Sequence, residues 1–155
     1  FIFIHQSSST SAEKAESIMS TSSLRPSERV LLQRVRNQLI DYLEIAASFE
    51  AQRDFQTQAP ETHVATEVLE QWADWVSPNW QEELKTPTFS EQERNAITLF
   101  QSVWQDTHNT LVRPLPALDY IQLAPAWQQL RSAAEDCLRV FMLRGKLSDV
   151  EEVIG

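Results

Sequence analysis

The sequence predicts an all-α protein, an antiparallel bundle of four main helices followed by a short C-terminal helix. Three observations support this fold class. The chain contains only two glycines, Gly145 and Gly155, whereas tight hairpin turns and phosphate-binding loops depend on glycine. Apolar residues recur in four stripes at spacings of three and four residues. Serine or proline stands where each helix would begin. We therefore expect neither a β-sheet nor a common nucleotide-binding fold.

The N-terminal residues differ in composition from the rest of the chain. Residues 7–23 hold eight serines in seventeen positions, which is typical of a flexible linker. We therefore divide the chain into a Ser-rich extension, residues 1–23, and a single helical domain, residues 24–155. Met19 lies within the extension and is a candidate for the native start.

The first two helices are predicted from their caps and apolar stripes. Ser27 caps a helix expected over residues 27–56. Its stripe consists of Leu32, Val35, Leu39, Tyr42, Ala46 and Phe49. The second helix is expected to begin near Pro60 and to stop at Pro78. After Pro78, residues 78–89 are interpreted as a loop that holds at most one helical turn.

The later helices have clearer start signals. Ser90 and Glu93 form a capping box for the third helix, and Pro125 begins the fourth. Arg144 and Gly145 are expected to close the fourth helix. Ser148 and Glu151 form a second capping box, which predicts the short C-terminal helix through Ile154. The stripes together predict a core that includes Leu39, Phe49, Val68, Trp72, Phe100, Trp104, Leu130 and Phe141.

The charge distribution suggests an interaction surface. The chain has a net charge of −9, and residues 61–93 hold eight acidic side chains against Lys85 alone. Such a surface repels nucleic acid and anionic lipid and attracts a basic partner. The candidate partner-binding residues are Glu67, Glu70, Asp74, Trp80, Glu82 and Glu83, with Trp80 expected to be exposed because it lies in a loop.

A second interpretation places function inside the bundle. A small molecule or a metal ion would bind in an interhelical pocket formed by Trp72, Trp104, His63 and His108. His63 and Glu67 are four residues apart, which is a metal-ligand spacing on a helix. Solvated surface pairs have the same spacing, so we expect no metal site and no cofactor.

Two further features are interpreted as structural. Arg25, Arg29 and Arg36 share a face of the first helix and could hold an anion, but long basic side chains commonly flank an apolar stripe, and we interpret them in that way. Cys137, the only cysteine, falls on an apolar face, where a free thiol usually acts as a small buried hydrophobe. A single thiol also suits a reducing compartment, so we expect a cytoplasmic protein.

These observations favour a non-enzymatic interaction or regulatory module that binds a basic protein. The sequence contains no nucleophile motif and no converging pair of carboxylates. The alternatives are the ligand-binding helical protein described above and a homo-oligomeric unit, in which the first helix pairs with its own copy as a homodimer.

Overall fold

The computed structural model describes residues 26–153. The predicted Ser-rich extension, Arg25 and Ile154 lie outside the described residues. Within residues 26–153 the chain forms helices and no strand, which confirms the predicted all-α fold class. The helices are α1 (Glu28–Ala46), α2 (Phe49–Gln58), α3 (Val64–Trp75), α4 (Trp80–Glu83), α5 (Glu91–Thr110), α6 (Leu118–Ile121) and α7 (Pro125–Phe141).

The long helices form a bundle in which α7 packs against α1 and α5, and α3 packs against α1. Helices α5 and α7 are antiparallel. Glu93 near the start of α5 contacts Arg144 just beyond the end of α7, whereas Thr107 near the end of α5 lies 3.5 Å from the Ala126 carbonyl at the start of α7. This antiparallel pair forms the candidate site described below.

Most of the predicted core is confirmed. Of the eight predicted core residues, seven are buried, and Phe49 is half-buried against the same cluster. Trp72, Phe100 and Tyr42 pack edge to face or tilted, with ring centroids 4.5 to 6.3 Å apart. Burial of these three large rings, one each from α1, α3 and α5, removes apolar area from water and stabilises the bundle.

The first predicted helix is wrong in its continuity, because the helix is interrupted at Ala47 and Ser48 and a second helix, α2, follows. The Ser48 hydroxyl accepts a hydrogen bond from the Ala51 amide and caps α2. The buried Gln52 side chain donates to the carbonyls of Ile45 and Ala46, at 3.1 and 3.2 Å. The Gln52 side chain therefore satisfies carbonyls at the end of α1, which in a continuous helix would accept hydrogen bonds from the following turn.

The second predicted helix is wrong at its start. Helix α3 begins at Val64, and His63 rather than Pro60 precedes it. The Nδ1 atom of His63 accepts a hydrogen bond from the Thr66 amide at 3.3 Å, which satisfies one of the unpaired N–H groups of the first turn. The helix ends before Pro78, and one helical turn, α4, follows in the predicted loop.

The start signals for α5 and α7 are confirmed, whereas α7 ends before the predicted Arg144 and Gly145. Ser90 and Glu93 form both hydrogen bonds of the capping box, and Pro125 begins α7. Helix α7 ends at Phe141, and the chain then turns through Gly145, whose φ is +71°. An L side chain rarely adopts this φ, which explains why one of the two glycines stands there.

The predicted C-terminal helix is wrong within the described residues. The Ser148 hydroxyl does accept hydrogen bonds from the amides of Val150 and Glu151, at 3.1 and 2.9 Å. No helix follows, and residues 146–153, which we call the strap, lie along α1 instead. Side chains of α1 form hydrogen bonds with main-chain groups of the strap. These groups are therefore not available for the hydrogen bonds of a helical turn.

Candidate functional site

An open apolar groove of about 590 Å³ runs between α5 and α7. Its walls carry Leu99 on α5 and Leu143 just after α7, whose exposed fractions are 72% and 71%. Val103 and Val140 extend the two walls. Two large apolar side chains thus remain exposed on the walls of one groove, and exposed apolar side chains that share a concave surface are a feature of binding sites.

The floor of the groove is apolar and closed. It is formed by Ala96, Phe100 and Cys137, all of them buried. Burial raises the pKa of the Cys137 thiol to about 12, with the nearby Glu93 and Asp136 carboxylates adding to the effect. The thiol is therefore protonated at neutral pH and serves as apolar lining, as the sequence predicted, since nucleophilic chemistry requires the thiolate.

Polar side chains stand at the edges of the groove. They are Gln92, Asn95, Ser102 and Asp136. The Asp136 carboxylate is paired with Arg139, one turn further along α7, at 3.1 Å. Asp106 is exposed and lies two helical turns beyond Leu99, so it extends the line of the groove on α5. An apolar strip with a polar and partly acidic edge is the usual anatomy of a protein-binding surface.

A buried ionic network fixes the end of the groove at which Leu143 stands. The Glu93 carboxylate accepts hydrogen bonds from Arg36 at 2.7 and 3.1 Å and from Arg144 at 2.6 and 3.0 Å. Arg36 also donates to the carbonyls of Phe141 and Gly145. The turn that carries Leu143 is thereby tied to α1 and α5.

The electrostatics of Glu93 follow from the same contacts. Burial by itself would raise the pKa of Glu93, but the hydrogen bonds from Arg36 and Arg144 outweigh it and hold the pKa below its ordinary value. Arg36 is completely buried, so the interpretation of Arg36 as a surface flank residue is wrong. Arg29 does lie near the surface, where it is paired with Glu152 at 3.7 Å.

The predicted partner-binding residues occupy different environments. Glu82 and Asp74 are exposed, and Glu67 is half-buried in the first turn of α3. Glu83 is exposed and accepts a hydrogen bond from Ser77 at 2.7 Å. Glu70 is engaged within the protein, because its carboxylate lies 2.5 Å from the Arg113 guanidinium. Of the predicted carboxylates, Asp74, Glu82 and Glu83 are therefore exposed, whereas Glu67 and Glu70 are half-buried.

Trp80 is buried, and its predicted exposure is wrong. Its exposed fraction is 8%, because α4 folds back onto the core and the Arg94 guanidinium lies 5.5 Å from the centre of its ring. Arg94 also donates a hydrogen bond to the Leu84 carbonyl at 2.5 Å. The position of Trp80 in a predicted loop did not indicate its exposure, because burial of its large ring removes a large apolar area from water.

The predicted interhelical pocket residues do not form one site. Trp72 and Trp104 are buried and are hydrogen bonded to Gln101 and to the Leu69 carbonyl, at 2.5 and 2.7 Å. His63 is exposed at the start of α3, whereas His108 lies beside the Trp104 ring at 5.0 Å and contacts Arg113 at 2.7 Å. Only Trp104 and His108 are brought together, and the two tryptophans fill the core.

Within residues 26–153, no three His, Cys, Asp or Glu side chains are arranged to hold a metal ion. The Nδ1 atom of His63 faces Thr66 at 2.7 Å rather than Glu67. None of the helices in this range is long and apolar enough to cross a membrane.

The groove itself was missed at the sequence level. In the sequence, the apolar stripe of α5 runs through Ile97, Phe100, Val103, Trp104 and Leu111, and Leu99 lies beside it. Leu99 was the signal that could have revealed the groove. An apolar residue beside a stripe widens the apolar face of a helix beyond what one neighbouring helix can cover.

The chain has no significant match among protein-family models, curated proteins or solved structures. Function is therefore inferred from the groove and from the acidic charge of the chain.

Proposed function

We propose that the protein is a non-enzymatic interaction module that binds an amphipathic, basic helical segment of a partner protein in the groove between α5 and α7. One observation carries the proposal: Leu99 and Leu143 stand on opposite walls of a groove with a buried apolar floor, and both remain more than two-thirds exposed. Side chains in this arrangement favour a partner that inserts apolar groups between them.

The shape of the groove favours a helix as the bound element. Two antiparallel helices leave a trough into which a third helix packs through ridges and grooves. A helix bound in such a trough presents anchors at positions i, i+3, i+4 and i+7. The walls extend over Gln92 to Val103 on α5, which is about three helical turns and matches two or three such anchors.

The charges favour a basic partner. Asp106 is exposed on the continuation of the groove, and Asp136 at its edge is paired with Arg139. Residues 61–93 add the exposed Asp74 and Glu82 and the half-buried Glu67. With a net charge of −9 for the chain, long-range attraction accelerates the encounter with a helix that has Lys or Arg beside its apolar anchors.

The other two interpretations have less support. The stripe of α1 that would pair two copies is used inside the protein, because Leu39, Tyr42 and Ala46 are buried in its own core. A small molecule between the helices would have to displace Trp72 or Trp104. A second copy of the chain bound at the groove remains as a competing outcome of the experiment below.

The test uses a fluorescent synthetic helix with leucines at positions i, i+4 and i+7 and lysines beside them. We expect it to bind the wild-type protein and to bind Leu99→Gln and Leu143→Gln at least 10-fold more weakly. Thr98→Gln is the matched control, since Thr98 is exposed on the adjacent face of α5. Equal binding to all four proteins, or a wild-type dimer that Leu99→Gln dissociates, would contradict the proposal.

A further inference from the structure

The strap, residues 146–153, is held on α1 by two side-chain amides. The Asn37 amide accepts a hydrogen bond from the Leu147 N–H at 2.9 Å and donates to the Leu147 carbonyl at 2.8 Å. The Gln33 amide accepts from the Val153 N–H and donates to the carbonyls of Ser148 and Glu151, each at 2.8 Å. Both amides are buried beneath the strap.

These contacts recognise main-chain groups. Five of the hydrogen bonds made by Gln33 and Asn37 go to peptide N–H or C=O groups, and the one to a side chain is from Asn37 to the Asp149 carboxylate at 2.9 Å. Arg34 adds a bond to the Asp149 carbonyl at 2.8 Å. Main-chain hydrogen bonds of this kind give affinity for a non-helical polypeptide, and contacts with its side chains add specificity.

Charged contacts at the two ends define a direction. Lys146 is paired with Asp41 at 2.5 Å, and Glu152 is paired with Arg29 at 3.7 Å. The hydrogen bond to Asp41 raises the pKa of Lys146, in keeping with a direct contact. A ligand of this surface therefore carries a basic residue first, Asp three residues later and an acidic residue three residues after that.

We propose that this face of α1 is a binding site for a non-helical polypeptide segment with that charge pattern, and that the strap occupies it in cis. A segment of the same chemistry from another polypeptide binds by displacing the strap. The site involves Gln33, Asn37 and Asp41 and is separate from the groove, so it does not depend on the proposed function.

The strap protects the site through its high local concentration. A short tether gives an effective concentration on the order of millimolar, so a competing segment must reach that range or bind more tightly. The exposed Val150, with an exposed fraction of 75%, shows that the strap is not anchored by apolar burial along its whole length. Displacement therefore exchanges one set of hydrogen bonds for an equivalent set.

The main experiment uses the full chain with Leu147→Pro. Proline removes the N–H that Asn37 accepts, which weakens the strap and leaves α1 unchanged. The probe is a fluorescein-labelled peptide with the sequence of residues 145–153, and the readout is anisotropy. We expect Leu147→Pro to bind the peptide at least 10-fold more tightly than the wild type does.

Two variants in the Leu147→Pro background locate the binding. Adding Asn37→Ala should abolish peptide binding, whereas adding Gln38→Ala, the neighbouring amide on α1, should not. A peptide of the same composition in scrambled order should bind at least fivefold more weakly. If the labelled peptide binds neither the wild type nor a helical, cooperatively folded Leu147→Pro variant, the proposal is wrong.

A measurement on the wild-type chain covers the case in which Leu147→Pro does not fold. With ¹⁵N-labelled protein, an excess of the unlabelled peptide should shift the amide signals of Leu147 and Val153 toward those of an unstructured segment. The Leu130 amide in α7 should stay in place. Unchanged strap signals at an excess several times the effective concentration would overturn the proposal.

Discussion

Arg36 of α1 and Glu93 of α5 form a two-pronged ion pair in the centre of the bundle, with Nε and Nη2 of the arginine 3.1 and 2.7 Å from the two carboxylate oxygens. The Glu93 carboxylate also accepts the Ser90 N–H at 3.0 Å, the side-chain half of the capping box. One carboxylate thus caps α5 and neutralises a completely buried guanidinium.

Removal of the Glu93 charge should be strongly destabilising. Glu93→Gln leaves Arg36 buried without a counter-charge, and breaking a buried pair in this way costs about 3–5 kcal/mol. Urea denaturation gives the free energy of unfolding. Glu91→Gln is the matched control, because Glu91 lies exposed in the same first turn and its charge loss should cost less than ~1 kcal/mol. Equal losses for the two variants would refute this account of the pair.

The same pair sets a dependence of stability on pH. The folded-state pKa of Glu93 lies below its ordinary value of 4.5, so the unfolded chain binds the proton more readily than the folded chain does. The stabilisation is complete above that ordinary value and is lost as the pH falls through the folded-state pKa. We expect urea midpoints between pH 6 and pH 3 to fall more steeply for the wild type than for Glu93→Gln. Parallel curves would exclude Glu93 as the titrating group.

Gln52 should tolerate substitution poorly. Its amide oxygen accepts hydrogen bonds from Trp127 Nε1 at 3.1 Å and from Gln122 Nε2 at 3.2 Å. Its amide nitrogen donates to the Ile45 carbonyl at the end of α1. Gln52→Leu leaves several buried polar groups without partners, at about 1–3 kcal/mol each before relaxation. Gln58→Leu, an exposed position on the same helix, is the control. A thermal unfolding midpoint no lower for Gln52→Leu than for the control would contradict this role.

Phe100 and Leu99 should separate stability from binding. Phe100 is 1% exposed at the floor of the groove, and Phe100→Ala should cost about 3–5 kcal/mol of unfolding free energy. Leu99→Ala should change it by less than ~0.5 kcal/mol, because its side chain is mostly in solvent, yet it should weaken the helical probe. Calorimetry and anisotropy on both variants provide the comparison, and a Leu99→Ala protein as unstable as Phe100→Ala would mean that the leucine is structural.

The acidic surface should govern the rate of association. Charge reversal of Glu67, Asp74 and Glu82 together should slow the binding of the basic helix and flatten its salt dependence, since charges at distances beyond about 8 Å are screened at physiological ionic strength. Reversal of the exposed Glu44, Glu50 and Asp54 is the matched control on α1 and α2. If stopped-flow measurements show the same change in association rate for both triple variants, binding depends on net charge alone.

Local signals in the sequence predicted the parts of the fold that local contacts determine. The capping box of Ser90 and Glu93 and the start at Pro125 depend on neighbours within a few residues, and both are confirmed. The break at Ser48 contains neither glycine nor proline, and Gln52 links it to Gln122 and Trp127 about 70 residues further along. Contacts of that range leave no local pattern.

The site was harder to predict than the fold for a similar reason. The Ser148 hydroxyl accepts the Glu151 N–H, which is half of the predicted capping box, but Gln33 and Asn37 bind peptide groups on both sides of Ser148 and hold them as the strap. For Arg36, the helical face alone did not reveal that Glu93, 57 residues away, would bury it. Which apolar face stays uncovered depends on where every other helix lies, so the groove could be found only from the assembled bundle.

The exposure of Leu99 and Leu143 has a consequence for evolution. A polar residue at either position would cost the fold little, so mutation is free to replace both leucines unless selection on binding retains them. Phe100 and Gln52 are kept by stability in any homologue that adopts this bundle. Homologues that retain apolar side chains at positions 99 and 143 while neighbouring exposed positions such as Thr98 drift would carry a record of selection for a bound partner.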